Sequence, residues 1–324
     1  MKLSIIIPVY NSEKYIIRCL DSIFNEKIPT NEFEIICIDD CSKDNSVNLI
    51  KSYSLTHSNI IILSHSNNKK QGAARNLGIL KSKGDYIWFV DSDDFIEEDI
   101  INILFQKLKT TNPDILQFNA KTITSNGVSK HDIFLDFSID NLSGIEYLKY
   151  EMSLNYENRI RAVWSKWFKK EFLLNFNLFF EEGIYWEDVN HTLKAFYFAP
   201  QFMYLPVLGY NYVETPNSDF RSKQTARKFS DTIRFCLVGL NFLTKNDFDK
   251  KLKFFIGKRF VSTIVKYKSK TIELTFIEFI RCILIFSKLN FNILSQFMPF
   301  HQYSWLIRRR EFLSCWLKRF QKVL

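Results

Sequence analysis

An α/β architecture is what this chain of 324 residues encodes: a mostly parallel sheet flanked by helices, followed by a helical C-terminal extension. Up to Val90, short apolar runs alternate with segments of helical spacing, which is the order of βαβ units. Polar clusters follow three of those runs, at Pro8-Val9-Tyr10-Asn11, Asp39-Asp40-Cys41-Ser42 and Asp91-Ser92-Asp93. After Pro216 the extended pieces stop, and apolar residues recur at i, i+3 and i+4 among Lys and Arg.

The continuous apolar run Leu3–Pro8 reads as a strand buried on both faces. Ser12 to Asn25 has helical spacing through Tyr15, Ile16, Cys19, Leu20 and Ile23. Phe33–Ile38 is the second strand, and Asp44 or a neighbour caps a helix through Val47, Ile50 and Tyr53. Ile60–Leu63 is a third strand, Gly72–Lys83 a helix and Tyr86–Val90 a fourth strand. Glu97-Glu98-Asp99 marks the start of the next helix, where acids suit the dipole. Further on the pattern is mixed. Ile115–Asn119 reads as a strand, Thr122–Phe137 as a polar hairpin and Ser143–Leu154 as a helix. Val163–Phe168 and Phe202–Tyr212 are extended pieces on either side of a helix from Glu187 to Phe198.

Hydrophobic content of 46% and aromatic content of 16% exclude a largely disordered chain. The net charge of +9 divides unevenly. Residues 1–215 hold 22 basic against 28 acidic side chains, and residues 216–324 hold 22 against 7. The expected organisation is an acidic α/β domain over 1–215 and a basic helical region over 216–324, with separate partners. The six cysteines form no C-x-x-C pair, and no leader precedes the first strand, so a reducing cytoplasm is the expected setting. The stretch Phe276 to Phe286 is too short to span a bilayer, and no base-reading motif suggests nucleic acid.

Ligands of such sheets bind beyond the carboxyl ends of the strands, where the three polar clusters fall. Asp91, Asp93 and Asp94 crowd one strand end, and adjacent acids are costly to desolvate without a cation. A divalent ion, Mn²⁺ or Mg²⁺, suits such oxygen ligands and bridges them to substrate phosphates. The alternative is a solvated turn with helix-capping acids. Arg75, near a helix start on the ligand side, suits either a diphosphate or an ion pair with one of the acids.

Taken together, Ser4 to Asn11, Ile38 to Asp44, Gly72 to Gly78, Asp91-Ser92-Asp93 and Trp186-Glu187-Asp188 resemble the family 2 glycosyltransferases. These are inverting enzymes of the GT-A (Rossmann-like) fold, and the resemblance runs in order over residues 3–215. It implies a nucleotide-sugar donor, with UDP expected, held by Pro8, Val9, Tyr10, Glu13, Asp39, Asp40, Gly72, Arg75, Asp91 and Ser92. It implies a metal on Asp91 and Asp93. It also implies a general base in the pair Glu187-Asp188, with Asp188 preferred. Turn and cap chemistry competes at Asp39-Asp40, and Glu13 reads as an exposed first-turn acid that could also reach the ribose. Asn76 and Gly72 also fit a turn-shaping role. Trp164, Lys166, Trp186 and His191 are weaker candidates for a saccharide or lipid-linked glycan acceptor, since large aromatics are more often core. Arg221 is a further candidate phosphate contact.

On a helical wheel, residues 304–324 place Leu306, Phe312, Trp316 and Phe320 opposite Arg308, Lys318, Arg319 and Lys322. That is the pattern of an interfacial helix on anionic lipid, and equally of a helix that closes a core. The expected role is sugar transfer in surface polysaccharide or lipooligosaccharide assembly at the inner face of the cytoplasmic membrane. Two rivals stand beside it. One is a catalytically silent sugar-nucleotide-binding scaffold. The other is a sugar-phosphate nucleotidyltransferase, which Val9 to Glu13 disfavours by lacking Gly and Arg.

Overall fold

The structure, a computed structural model, describes residues 2–124, 127, 129–133, 138–153, 162–215 and 225–268. The expectations for 304–324, Phe276 to Phe286 and Arg221 concern residues outside the described ones.

The chain divides into two compact units, one of residues 1–183 and 187–222, the other of 184–186 and 223–324. Among its described residues the first holds a ten-stranded mixed sheet. Four strands form its parallel part, in the order β3 (Ile60–Ser64), β2 (Phe33–Asp39), β1 (Leu3–Val9) and β4 (Tyr86–Phe89). Helices α1 (Ile16–Phe24), α2 (Ser46–Ser54) and α3 (Lys70–Lys81) form the crossovers. The predicted runs account for these elements. β1 is buried from end to end, and α1 buries Ile16, Cys19, Leu20 and Ile23 on one stripe.

Beyond β4 the ladder turns antiparallel. β5 (Phe95–Ile96), α4 (Ile100–Leu108), β6 (Ile115–Ile123), β7 (Ser129–Ile133) and β8 (Ile139–Leu142) follow in the chain. After them come α5 (Gly144–Ser153), β9 (Lys166–Lys169), α6 (Lys170–Asn175), α7 (Glu187–Phe198) and β10 (Phe202–Val213). β9 lies antiparallel between β4 and β6, and β10 runs parallel to β6. β7 pairs antiparallel with the end of β6, so the hairpin expected over Thr122–Phe137 takes as its first arm the strand expected at Ile115–Asn119, which runs on to Ile123. Residues 134–137 lie outside the described ones. Four elements have no counterpart in the sequence reading: β5, β8, α6 and a short 3₁₀ helix over Thr30–Glu32. The extended piece expected from Val163 begins only at Lys166, because residues 163–165 form a turn.

Trp88, Phe118, Trp167 and Tyr210 meet at the middle of the sheet, with ring centroids of Trp88 at 5.5 Å from Phe118 and 5.7 Å from Trp167. Burying each such ring stabilises by about 1.5–3 kcal/mol, and this anchors the strand that presents the acidic motif. In the second unit α8 (Ala226–Lys245) packs on α9 (Lys250–Lys268). Gly239 makes that approach possible, since a Cβ there would stand 2.3 Å from the Phe260 ring. No described helix is long and apolar enough to cross a membrane.

Candidate active site

The acidic motif sits where β4 leaves the sheet, in a turn closed by the Asp94 N–H donating to the Asp91 carbonyl at 3.1 Å. Its three carboxylates part company there. Asp94 is fully buried and accepts from the Tyr210 hydroxyl and the Val213 N–H, both at 2.7 Å. Burial, reinforced by the Asp93 and Asp91 charges, holds its carboxyl well above the usual range. Asp94 ties the end of β4 to β10 and is spent on structure. Asp93 is pushed up to about 6, first by burial and then by the Asp91 charge. The Thr215 hydroxyl donates to its Oδ2 at 3.2 Å, and Arg18 donates to its backbone carbonyl at 2.5 Å. Asp91 keeps 21% of its side chain exposed, and its Oδ1 accepts from Arg75 Nη2 at 2.7 Å.

Burial and the repulsion between Asp91 and Asp93 both raise the Asp93 carboxyl, so the pair is short of positive charge. Mg²⁺-type ions take one or two protein carboxylates and complete their shell with water and substrate phosphates. Among the described residues no group of three or more His, Cys, Asp or Glu is arranged to hold an ion unaided. Asp91 and Asp93 are two oxygen ligands of the kind such an ion takes beside substrate phosphates.

Arg75 joins the two acidic motifs. From α3 its Nη1 pairs with Glu187 Oε1, its Nη2 with Asp91, and Gln71 Oε1 accepts a third bond at 3.2 Å. The guanidinium lies over the Phe180 ring, 5.4 Å from its centroid. The ion-pair alternative for Arg75 is seen in this ligand-free arrangement, and it leaves the diphosphate alternative open for a bound state. Glu187 is 6% exposed, and burial raises its carboxyl while Arg75 pulls it back. That commits Glu187 to Arg75. The half-buried Asp188 follows it in the first turn of α7, and its charge also stabilises the Arg75 guanidinium.

Local backbone explains how α7 comes to lie here. Asn76 grips the preceding loop, donating to the Phe180 carbonyl at 3.0 Å and accepting from its N–H at 2.8 Å. Lys194 and Asn190 of α7 reach back to Glu181 at 2.6 and 3.0 Å. Gly72 permits the close approach, because a Cβ there would meet the Glu181 carbonyl at 2.7 Å and Glu187 Cγ at 3.2 Å. Gly72 thus shapes the site through packing. Trp186 enters α7 with a left-handed φ of 68°, a costly conformation for a bulky side chain. It belongs to the second compact unit, as does Tyr185, whose N–H donates to Asp231 Oδ2 at 3.3 Å.

At the other parallel strand ends two loops are zipped together. Asn11, left-handed at φ 50°, donates its N–H to Ser42 Oγ at 3.0 Å and accepts from the Lys43 N–H at 2.8 Å. The Glu13 carboxylate accepts from the Asn45 N–H at 2.9 Å, so this residue is engaged between loops rather than standing free. Asp39 closes its own turn on the Ser42 N–H at 3.0 Å. Asp40 is 3% exposed and accepts from the N–H groups of Lys69 and Lys70 at 2.8 and 2.6 Å, with His65 Nδ1 at 2.9 Å. A nucleotide base would have to share that carboxylate. Pro8 and Val9 are buried, Asp40 N–H donates to the Val9 carbonyl at 2.8 Å, and Tyr10 beyond them is 50% exposed. Ser92 is buried against Ser12, hydroxyl to hydroxyl at 2.6 Å.

The acceptor candidates separate. Trp164 is half-buried and stacks on Tyr210 at 4.7 Å and Tyr212 at 5.9 Å, with Trp88 Nε1 donating to its carbonyl at 2.6 Å. Direct acceptor contact does not hold for the other two of the first unit. His191 is 1% exposed, stacked on Phe180 at 3.9 Å and edge-on to Phe89 and Phe168. Helical periodicity turns it inward, three residues after Asp188. Lys166 is fully buried. Sequence reasoning missed Gln71 and Thr215. Thr215 lies 122 residues from the Asp93 it touches, and no local signal announces such a contact.

The family model described as Glycosyl transferase family 2 matches residues 4–175. Poly(ribitol-phosphate) beta-glucosyltransferase of Bacillus spizizenii is 41% identical over 131 residues, 40% of this chain and 21% of that protein. Glycosyltransferase GlyA of Streptococcus pneumoniae is 32% identical over 216 residues, 65% of this chain and 30% of that protein. The chain thus spans under a third of the length of these curated relatives. The crystal structure of S. aureus TarS 1–349 in complex with UDP-GlcNAc superposes with a TM-score of 0.74 at 21% identity, covering 97% of this chain and 89% of that one. That likeness shows the fold.

Proposed function

Because the chain belongs to glycosyl transferase family 2, we propose that it transfers a sugar, with inversion, from a UDP-linked donor to a saccharide or lipid-linked glycan acceptor. The observation that carries this is Arg75, which holds Asp91 of the strand-end motif and Glu187 of the helix-start motif on one guanidinium. Asp188 is thereby kept in the same neighbourhood as the acidic pair, at the carboxyl edge of the sheet. The UDP-GlcNAc and UDP complexes of S. aureus TarS support the choice of donor.

In this reading Tyr10, Asp40 and their loop receive the nucleotide, while Asp91 and Asp93 hold Mn²⁺ or Mg²⁺. A bound ion supplies charge that favours departure of the diphosphate. Asp188 accepts the acceptor's hydroxyl proton as that oxygen bonds to the anomeric carbon and the bond to the diphosphate oxygen breaks. A carboxylate of ordinary pKa near 4 suffices only when proton transfer accompanies bond formation. Glu187 and Arg75 fix the geometry of α7. Trp164 offers its face to a sugar ring.

Residues 1–215 would form the catalytic part and residues 216–324 an attachment to anionic membrane at the inner face of the cytoplasmic membrane. Relatives named for poly(ribitol-phosphate) glycosylation support surface-glycan assembly as the setting. Isothermal titration with UDP, with and without Mn²⁺, and a UDP-release assay test the assignment. Asp93→Asn should abolish the Mn²⁺-dependent part of UDP binding. Asp188→Asn should keep binding and lose about two orders of magnitude in turnover. Undiminished Mn²⁺-dependent binding in the first variant would remove Asp93 from the ligands, and near-normal turnover in the second would move the base elsewhere.

A further inference from the structure

β10 leaves its regular ladder just before it reaches the acidic motif. Leu208 and Tyr210 pair with the consecutive residues Asn119 and Ala120 of β6, so Gly209 is an extra residue in a bulge. Bulges re-aim the side chains beside them and are common next to active sites. The site is tightly built, since a Cβ at Gly209 would stand 2.6 Å from the Phe118 ring and 2.8 Å from Ile100. β5 fastens the same point: Ile96 pairs with Tyr210, and the Glu97 N–H donates to the Gly209 carbonyl at 3.2 Å.

What the bulge presents is the side chain of Tyr210, which is fully buried. Its hydroxyl is used in both directions. It accepts from the Asp91 N–H at 3.0 Å and donates to Asp94 Oδ2 at 2.7 Å. Those two residues are the ends of the turn that carries Asp93, so one oxygen clamps the turn from outside. The next residues of the same segment add to the grip, with the Val213 N–H on Asp94 Oδ1 at 2.7 Å and the Thr215 hydroxyl on Asp93 Oδ2 at 3.2 Å. The Tyr210 ring packs near Trp88, centroids 6.4 Å apart, and stacks on Trp164 at 4.7 Å. A phenylalanine would fill that space equally well. Burying a hydroxyl is costly unless it is bonded, so the oxygen is there for the turn.

We propose that Tyr210 is a positioning residue for the metal motif: its hydroxyl, aimed by the Gly209 bulge, clamps the Asp91–Asp94 turn and so holds Asp91 and Asp93 in place for the ion. This rests on the reading of Asp91 and Asp93 as ligands. Outer partners that orient a metal's ligands ordinarily matter to affinity although they never touch the ion. Because its ring also underlies Trp164, one residue fixes both the metal motif and the face offered to a sugar.

Isothermal titration of the full chain with UDP, in Mn²⁺ and in EDTA, gives the factor by which the ion strengthens nucleotide binding. Tyr210→Phe keeps the ring and removes the hydroxyl. It should lower that factor about tenfold, the low end for an outer partner of a metal ligand, and leave binding in EDTA unchanged. Phe118→Leu is the control for stability, because Phe118 packs edge-on to Trp88 in the same core. It should lower the melting temperature and keep the factor. Should Tyr210→Phe fail to fold, Asp94→Asn takes its place: the amide offers one oxygen where two now serve Tyr210 and Val213, so the factor should fall here too. A factor unchanged in folded Tyr210→Phe or in Asp94→Asn, or lowered equally by Phe118→Leu, would overturn the proposal. The reading beneath it fails in its own way. Absence of any Mn²⁺ effect in the parent, or a full effect in Asp93→Asn, removes the ligand assignment and the proposal with it. An effect lost in Asp93→Asn but kept in Tyr210→Phe removes the positioning role alone.

Discussion

Arg75 is the side chain on which the candidate site turns, because two carboxylates on different elements share it. Arg75→Met should destabilise the protein by about 3 kcal/mol, the low end for leaving buried charges uncompensated. Urea unfolding at neutral pH measures this. Arg75→Lys should not rescue it, since an ammonium cannot reproduce the forked geometry. Its two readings could not be separated in the sequence, because nothing local says that Glu187, 112 residues away, lies within reach. His191 shows the converse. Chain proximity to Asp188 suggested the acceptor, whereas three residues along a helix turned it into the ring cluster with Phe89, Phe168 and Phe180. Burial lowers its pKa to about 3 from an ordinary 6.5, so the unfolded chain binds the extra proton first. The stability this neutral ring contributes is fully present above about pH 6.5 and is lost as pH falls toward 3. His191→Phe should flatten that part of the stability profile, as read by thermal melts between pH 7 and pH 4. An unchanged slope would show that other groups govern acid lability.

Among the elements, α3 is the most constrained by its neighbours. A Gly→Ala change inside a helix ordinarily gains about 1 kcal/mol in propensity. At Gly72 the added Cβ would instead meet a backbone carbonyl at 2.7 Å and Glu187 Cγ at 3.2 Å. Gly72→Ala should therefore destabilise by about 1–3 kcal/mol, the usual cost of overpacking, and should lower turnover by shifting Glu187 and the start of α7. A variant at least as stable as the parent, with unchanged turnover, would show that the Glu181 loop yields freely. The long periodic elements were legible because each carries its own signal: a continuous apolar run in β1, one stripe in α1. β5 was not, since two residues declare nothing until Tyr210 and Asn211 of β10 pair with them. The antiparallel entry of β9 between β4 and β6 is likewise invisible locally, although Val163–Phe168 read as an extended piece. The acidic motifs could be found from the strand ends that carry them. That Asp94 faces β10 while Asp91 faces Arg75 depends on tertiary contacts alone.

At the scale of the molecule, charge is the most uneven property. The first 215 residues hold 22 basic against 28 acidic side chains, and the remaining 109 hold 22 against 7. On α9 the exposed Phe254 lies among Lys250, Lys251 and Lys258, which are also exposed. Each basic group near an anionic bilayer contributes roughly 1 kcal/mol at modest ionic strength. Full-length protein should therefore sediment with phosphatidylserine-containing vesicles, in a manner weakened by salt, and ignore neutral phosphatidylcholine vesicles. Absence of binding at low salt would leave the basic region to a different partner.

The Arg75–Asp91 pair also bears on the order in which ligands arrive. A free divalent ion meets a carboxylate already answered by a guanidinium, so on its own it should be held weakly. A nucleotide diphosphate brings the negative charge that both cations can share. Ion and nucleotide should then enter as a pair, each raising the affinity for the other by the same factor, as linkage requires. Titrating Mn²⁺ with and without UDP would show it as a tightening of ion binding in the presence of nucleotide. On the proposed reading, a site arranged in this way would respond to the supply of charged donor rather than to the ambient ion.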